Sequence, residues 1–283
     1  MNGALGDGTK WSAARDAVTD MIGAYEGSIA FGLMTFPQPA ACGPGRLDVA
    51  PAVGQRNAIG AVMKAPPPEY GAYTPLGETL MVAADPAQLP VAPDDVVVIT
   101  DGFQWCDPYD PDLRLFPVSA VRALRGRGTR TFVVGFGGGV DRSTLASMAL
   151  EGGTAGAGCD VLGDDPSKPP CYYQADDADA LVAALMDVAA SASTERCDGV
   201  DNDCDGVVDN GATCEAGAAC VGGTCEVVPV VPDAGVGSDA GIAGEDDGHG
   251  LPGSCGCTAP GSSGAGLALA LATGAVLMRR RRR

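Results

Sequence analysis

The chain has 283 residues and a formal charge of −18 at neutral pH. Its last five residues are all arginine, so the rest carries 36 acidic side chains against 13 basic ones (18 less five), a balance of −23. Such a body excludes a nucleic-acid partner from the expectations and suits divalent cations. Eleven cysteines, most of them in the second half, favour an oxidising compartment over the cytosol.

In chain order, Trp11, Ala14, Val18, Met21, Ile22 and Tyr25 share one face of a helix over 9–25. Residues 28–36 read as a buried strand ended by Pro37, and Leu47-Asp48-Val49 as a short edge strand. Gly54 to Lys64 is helical until Pro66-Pro67-Pro68 stops it. Thr74 is the expected N-cap of the next helix, with Pro75 at its first position. Val96-Val97-Val98-Ile99-Thr100 is an unbroken β-branched run, the signature of a strand buried on both faces. It ends at Asp101-Gly102, which places a carboxylate at the carboxyl edge, where open α/β sheets bind ligands. A crossover helix over 118–125, a strand over 129–136, a helix over 143–150, a strand over 172–174 and a helix over 177–190 complete the alternation. The pattern is that of a doubly wound, mostly parallel α/β sheet over 1–193.

The motifs Lys10-Trp11-Ser12-Ala13-Ala14-Arg15-Asp16-Ala17-Val18, Thr74-Pro75-Leu76-Gly77, Val98-Ile99-Thr100-Asp101-Gly102 and Thr131-Phe132-Val133-Val134-Gly135-Phe136-Gly137 resemble those of a von Willebrand factor A domain, in order and spacing. The resemblance implies a metal-ion-dependent adhesion site holding Mg²⁺ (or Mn²⁺) between three loops, with Thr74 and Asp101 as the second- and third-loop ligands. Taken alone, Thr74 is an ordinary helix cap and Asp101 an ordinary turn residue. The family's first loop, Asp-x-Ser-x-Ser, has no counterpart, because Met1 matches the methionine that directly follows it. The expectation is a partial site and a sheet lacking its first strand. Residues 28–36 and 95–100 are then left without a shared neighbour, at roughly 1–3 kcal/mol for each buried backbone group that loses its partner. The absence of an opening signal peptide in an otherwise export-type chain leads to the same expectation, a natural start further upstream.

Over 194–226 periodicity gives way to cysteine and aspartate. Asp201, Asp203, Asp205 and Asp209, with the Val207 carbonyl, fit the first, third, fifth, ninth and seventh places of a Ca²⁺ loop, and Gly206 supplies the turn. Ala212 stands where an EF-hand needs its bidentate glutamate. Cys197 and Cys204 are candidates to clamp the loop, and Cys214, Cys220 and Cys225 to complete a disulfide knot of unreadable pairing. The run Cys197-Asp198-Gly199-Val200-Asp201-Asn202-Asp203-Cys204-Asp205-Gly206 resembles a metal-binding motif of myxobacterial surface proteins.

Residues 227–254 read as a disordered linker. In 255–283, Cys255 and Cys257 precede an apolar run, Gly264 to Met278, read as a hydrophobic helix, and then arginines. This arrangement resembles a myxobacterial C-terminal sorting signal, and a plain membrane anchor is the other reading. His249 is the only histidine, so no Ser-His-Asp or Cys-His site is expected, and the chain reads as a non-enzyme. The expectation is a surface-anchored adhesion protein recognising a protein or extracellular-matrix ligand. The alternative is a metal-handling or enzyme-associated surface protein in which the A domain is only scaffold.

Overall fold

The computed structural model describes residues 1–39, 41–65, 73–106, 108–162, 164–199, 201 and 207–227, with the backbone of 269–271 and 274–280. The predicted linker, apart from Val227, and the Cys255–Cys257 pair lie outside the described residues. The chain divides into a unit of Met1–Ser193 with Gly261–Arg281, and a unit of Thr194–Pro260 with the last two arginines.

The first unit opens on a small hairpin, β1 (Ala4–Leu5) and β2 (Gly8–Thr9), and continues into α1 (Lys10–Tyr25). Thr9 and Ser12 form a reciprocal capping box: the Thr9 hydroxyl accepts from the Ser12 amide at 3.1 Å, and the Thr9 amide donates to the Ser12 hydroxyl at 3.0 Å. The helix buries Trp11, Ala14, Val18, Met21 and Ile22 as their spacing predicts, while Tyr25 stays half-buried. Then follow β3 (Ile29–Thr35), β4 (Arg46–Ala52), α2 (Arg56–Met63), α3 (Leu76–Ala84), β5 (Asp95–Thr100), α4 (Phe116–Arg125), β6 (Arg130–Phe136), α5 (Arg142–Gly152), β7 (Tyr173–Ala175) and α6 (Ala178–Ala192). The second unit contains the hairpin β8 (Ala218–Val221) and β9 (Thr224–Val227). The tail supplies β10 (Leu269–Leu271) and β11 (Gly274–Arg280) to the first unit.

β5, β6 and β7 are parallel neighbours, registered from Asp95 opposite Arg130 to Thr100 opposite Gly135, and from Val134 opposite Tyr173. β5 and β6 are buried almost throughout, as continuous apolar runs require when helices cover both faces. α1 packs with α2 and α6; α4 packs with α3 and α5. At the other edge, β4 pairs antiparallel with β3 through two irregularities, and there the Asp48 carboxylate accepts from the Thr35 amide at 2.9 Å. Pro51 is tolerated because β4 is an edge strand.

Two expectations are corrected. Residues 274–280 are a strand, not part of a helix, and among the described residues no helix is long and apolar enough to cross a membrane. That strand lies where the sequence predicts a vacancy. β11 runs antiparallel to β3 from Gly274 opposite Thr35 to Arg280 opposite Ile29, and meets β5 at Leu277–Val96 and Met278–Asp95. The buried amides and carbonyls of β3 and β5 select for any chain that can pair with both, and an apolar stretch supplies one. The sheet is consequently mixed, in the order β4-β3-β10-β11-β5-β6-β7.

One charged pair sits inside this framework. Arg130 at the start of β6 donates from Nε to Asp95 Oδ1 at 2.6 Å, with the aspartate side chain 1% exposed. The guanidinium also lies 5.0 Å from the centre of the Phe132 ring. Removing one partner strands the other charge, so Asp95→Ala is expected to lower unfolding free energy by about 3–5 kcal/mol in urea titrations.

Asp141 caps α5. Burial pushes its carboxyl up, but hydrogen bonds from Arg114, from the Thr144 side chain and amide and from Ser143 outweigh this and hold it at about 2. A depressed acid stabilises above its unfolded pKa of about 3.9, and that stabilisation disappears as pH falls through the folded value. Asp141→Asn should therefore flatten the fall in unfolding free energy between about pH 4 and pH 2, as followed by acid titration of urea stability.

Candidate functional site at the carboxyl edge of the sheet

Three loops converge where β5 and β6 end. The chain before α3 is held extended by a two-bond bridge: the Thr74 amide donates to the Trp105 carbonyl at 2.8 Å, and the Trp105 amide to the Thr74 carbonyl at 3.1 Å. This corrects the reading of Thr74 as a helix cap. Its backbone is committed to the loop after β5, so α3 begins at Leu76 with Pro75 at the cap position and no side-chain cap. The bridge brings Thr74 against the Asp101–Gly102 turn: a Cβ on Gly102 would come 3.4 Å from the Thr74 hydroxyl. The two residues that the sequence assigns to one site are thus neighbours in space.

Asp101 is surrounded by cations. Its Oδ2 lies 2.6 Å from the amino nitrogen of Met1 and 3.4 Å from Lys10 Nζ. Lys10, at the first turn of α1, also donates to the Phe136 carbonyl at 3.1 Å. Gly137 has φ +83°, and a side chain there would meet Lys10 Nζ at 2.9 Å, so a glycine is required under the ammonium. Thr74 and Asp101 offer two oxygens where a hard divalent cation takes about six, and the carboxylate already faces the Lys10 ammonium. By themselves, these residues do not fit a resident Mg²⁺ or Mn²⁺.

The loop after β5 is firmly held. Gln104 is buried, accepting from the Gly77 amide and donating to Glu78, both at 2.8 Å. Cys106 is bridged to Cys42 of the β3–β4 loop. The loop carries Phe103, Trp105 and Tyr109, with Trp105 and Tyr109 stacked at 4.7 Å and Phe103 edge-on to both. The Lys10–Asp101 contact, Gln104, the Cys42–Cys106 bridge and this aromatic group are absent from the sequence reading. A signal existed for the last: the chain has few aromatics (2 Trp, 6 Tyr and 6 Phe), and three of them fall within seven residues.

In the second unit the pairing is Cys197–Cys220 and Cys214–Cys225, so Cys197 does not clamp the loop to Cys204. Cys220 and Cys225 face each other across the β8–β9 hairpin and tie it to two different upstream points. Sγ atoms of Cys197, Cys214 and Cys225 lie within 4.8 Å of one another. Bridged sulfurs are not thiolates, which leaves the aspartate loop as the metal candidate in this unit. Asp209 closes the base of that loop, its Oδ1 accepting from the amides of Asp198 at 3.0 Å and Gly199 at 2.9 Å. Its φ of 58° makes it the single non-glycine residue with a left-handed backbone among the described residues. Asp201 and Val207 are described at the two sides of the loop, whereas Asp203, Cys204 and Asp205 lie outside the described residues. A second pair of bridges, Cys42–Cys106 and Cys159–Cys171, belongs to the first unit.

Residues 189–210 match a family model named Cu-binding MopE and described as "Putative metal-binding motif". No curated protein matches the chain. Among solved structures, proximal thread matrix protein 1 from the mussel byssus aligns at 16% identity and a TM-score of 0.44, over 67% of this chain and 45% of that one. A form of the same protein described as having a zinc-occupied MIDAS motif aligns at 15% identity and a TM-score of 0.44, with the same coverage of both chains. The pilus adhesin SpaC from Lactobacillus rhamnosus GG, in an open conformation, aligns at 16% identity and a TM-score of 0.42, over 64% of this chain and 28% of that one. The chain therefore spans less than half the length of these proteins.

Replacing Cys42 and Cys106 with serine frees the aromatic loop from the β3–β4 loop. Limited proteolysis should then cut within residues 103–115 faster than in the parent, with α4 and the sheet retained by circular dichroism.

Proposed function

We propose that the chain is an extracellular or cell-surface binding module of the von Willebrand factor A type, whose protein or matrix ligand docks at the carboxyl edge of the sheet. The observation that carries this reading is the meeting of Thr74 with Asp101–Gly102 at the end of the central buried strand. Two separately predicted ligand positions, distant in sequence, share one corner of the fold. The acidic composition and the four bridges suit an oxidising exterior. Residues 274–280 pair with β3 and β5, and binding at the sheet edge is the proposed route to a surface.

The module is read as non-catalytic, with recognition as its output. In the second unit the aspartate loop is proposed to take Ca²⁺, because carboxylates at alternate positions repel one another until a cation joins them. The match of 189–210 to a metal-binding family model supports a metal there without choosing its identity. A second reading has a specific observation in its favour. The Lys10 ammonium, 3.4 Å from Asp101 Oδ2, suits a sheet domain that is scaffold, with metal handling confined to the aspartate loop.

Calorimetry on the full chain separates these. Ca²⁺ should release heat with the parent and none with Asp201→Asn/Asp205→Asn, and EDTA should abolish ligand capture if the sheet edge works through a metal. Capture unchanged by EDTA, alongside Ca²⁺ binding at the loop, would select the scaffold reading.

A further inference from the structure

The loop after β5 presents an aromatic group that the fold does not bury. Phe103 is 43% exposed and Tyr109 38%, although both are large apolar side chains on a loop fixed by a disulfide and by buried Gln104. Burying such rings would stabilise the fold, so a rigid loop that holds them outward forgoes that gain. Phe103 stands edge-on to a stacked Trp105–Tyr109 pair.

The charges around the rings are negative. Asp110 and Asp112 follow directly and are exposed, and among the described residues neither pairs with a cation. The Asp110 carboxylate only accepts from the Asp112 amide, at 2.9 Å. The nearby cation, Arg114, is committed: it donates to both oxygens of Asp141, at 2.6 and 2.8 Å, and to Ser143 at 2.7 Å. An incoming cation therefore meets partly exposed rings and exposed carboxylates, with Arg114 held by Asp141. A ring quadrupole attracts a cation to the ring face, and a carboxylate beside it attracts the same cation by its charge. The chain's overall charge of −18 steers positive partners to it.

We propose that Phe103, Trp105 and Tyr109, with Asp110 and Asp112, form a binding site for the Lys or Arg side chains of a basic protein segment. This deepens the ligand-binding reading of the sheet edge and rests on it, but needs no metal.

The test uses the full chain and an oligo-arginine peptide as probe, with affinity measured at low and physiological ionic strength. Phe103→Ala and Tyr109→Ala leave every charge in place, and each should weaken binding by about three- to tenfold. Asp110→Asn with Asp112→Asn should weaken it and flatten its salt dependence, whereas Asp20→Asn, at an exposed position on α1, should leave it unchanged. Unaltered affinity in both aromatic variants would overturn the proposal, because binding would then be diffuse electrostatics. So would a neutral cello-oligosaccharide that binds more tightly than the peptide and loses affinity in the same variants, since the rings would then be a sugar platform. Chelation keeps the two readings apart. Peptide binding that persists in EDTA and depends on Tyr109 upholds this site while the metal-dependent edge fails. EDTA-sensitive capture of a carboxylate-bearing ligand, with peptide binding indifferent to Tyr109, does the reverse.

Discussion

A strand buried in the middle of a sheet has to satisfy its amides and carbonyls on both edges, and in this molecule β3 and β5 impose that requirement together. Both are buried along nearly their full length, so water cannot substitute for a missing neighbour. β11 meets the requirement along β3, pairing over seven residues, and at the start of β5, over two. The position of everything else at the carboxyl edge follows. Asp101 projects from the end of β5, the loop behind it folds back onto Thr74, and Lys10 reaches across to the end of β6. Without the β3–β11–β5 ladder these loops would have no common floor.

The parallel part of the fold was legible because its signals are local and agree with one another. The β-branched run at 96–100, the apolar run at 131–136 and the 3.6-residue stripe of α1 each name one element, and the short connections between them leave few topologies. The aspartates before α5 and α6 work as caps, in keeping with their residue type. Thr74 illustrates the limit of such signals. Its residue type and the following proline describe a helix start, but the partner that decides its conformation, Trp105, is thirty-one residues away and is invisible to local patterning. The tail shows the same limit more strongly. An apolar stretch of small and branched residues is compatible with helix or strand, and here the demand of two unpaired neighbours outweighs local preference.

At the site, the family resemblance pointed to Thr74 and Asp101 together but did not reveal what faces them. A motif is recognisable by residue type, whereas the cation that neutralises a carboxylate is set by three-dimensional approach. Lys10 reads as an ordinary helix-start residue until α1 is placed beside the ends of β5 and β6. The disulfides follow the same division: cysteine number indicates a bridged module, but the choice of Cys220 over Cys204 for Cys197 depends on a hairpin that carries no periodic signal.

The antiparallel placement of β11 also bears on the order of assembly. A central strand drawn from the far end of the sequence is synthesised long after the strands on either side of it. During that interval β3 and β5 expose unpaired apolar edges, and the contacts that close the sheet are among the most distant along the chain. Folds with such long-range closure are slow to form and prone to association while they wait.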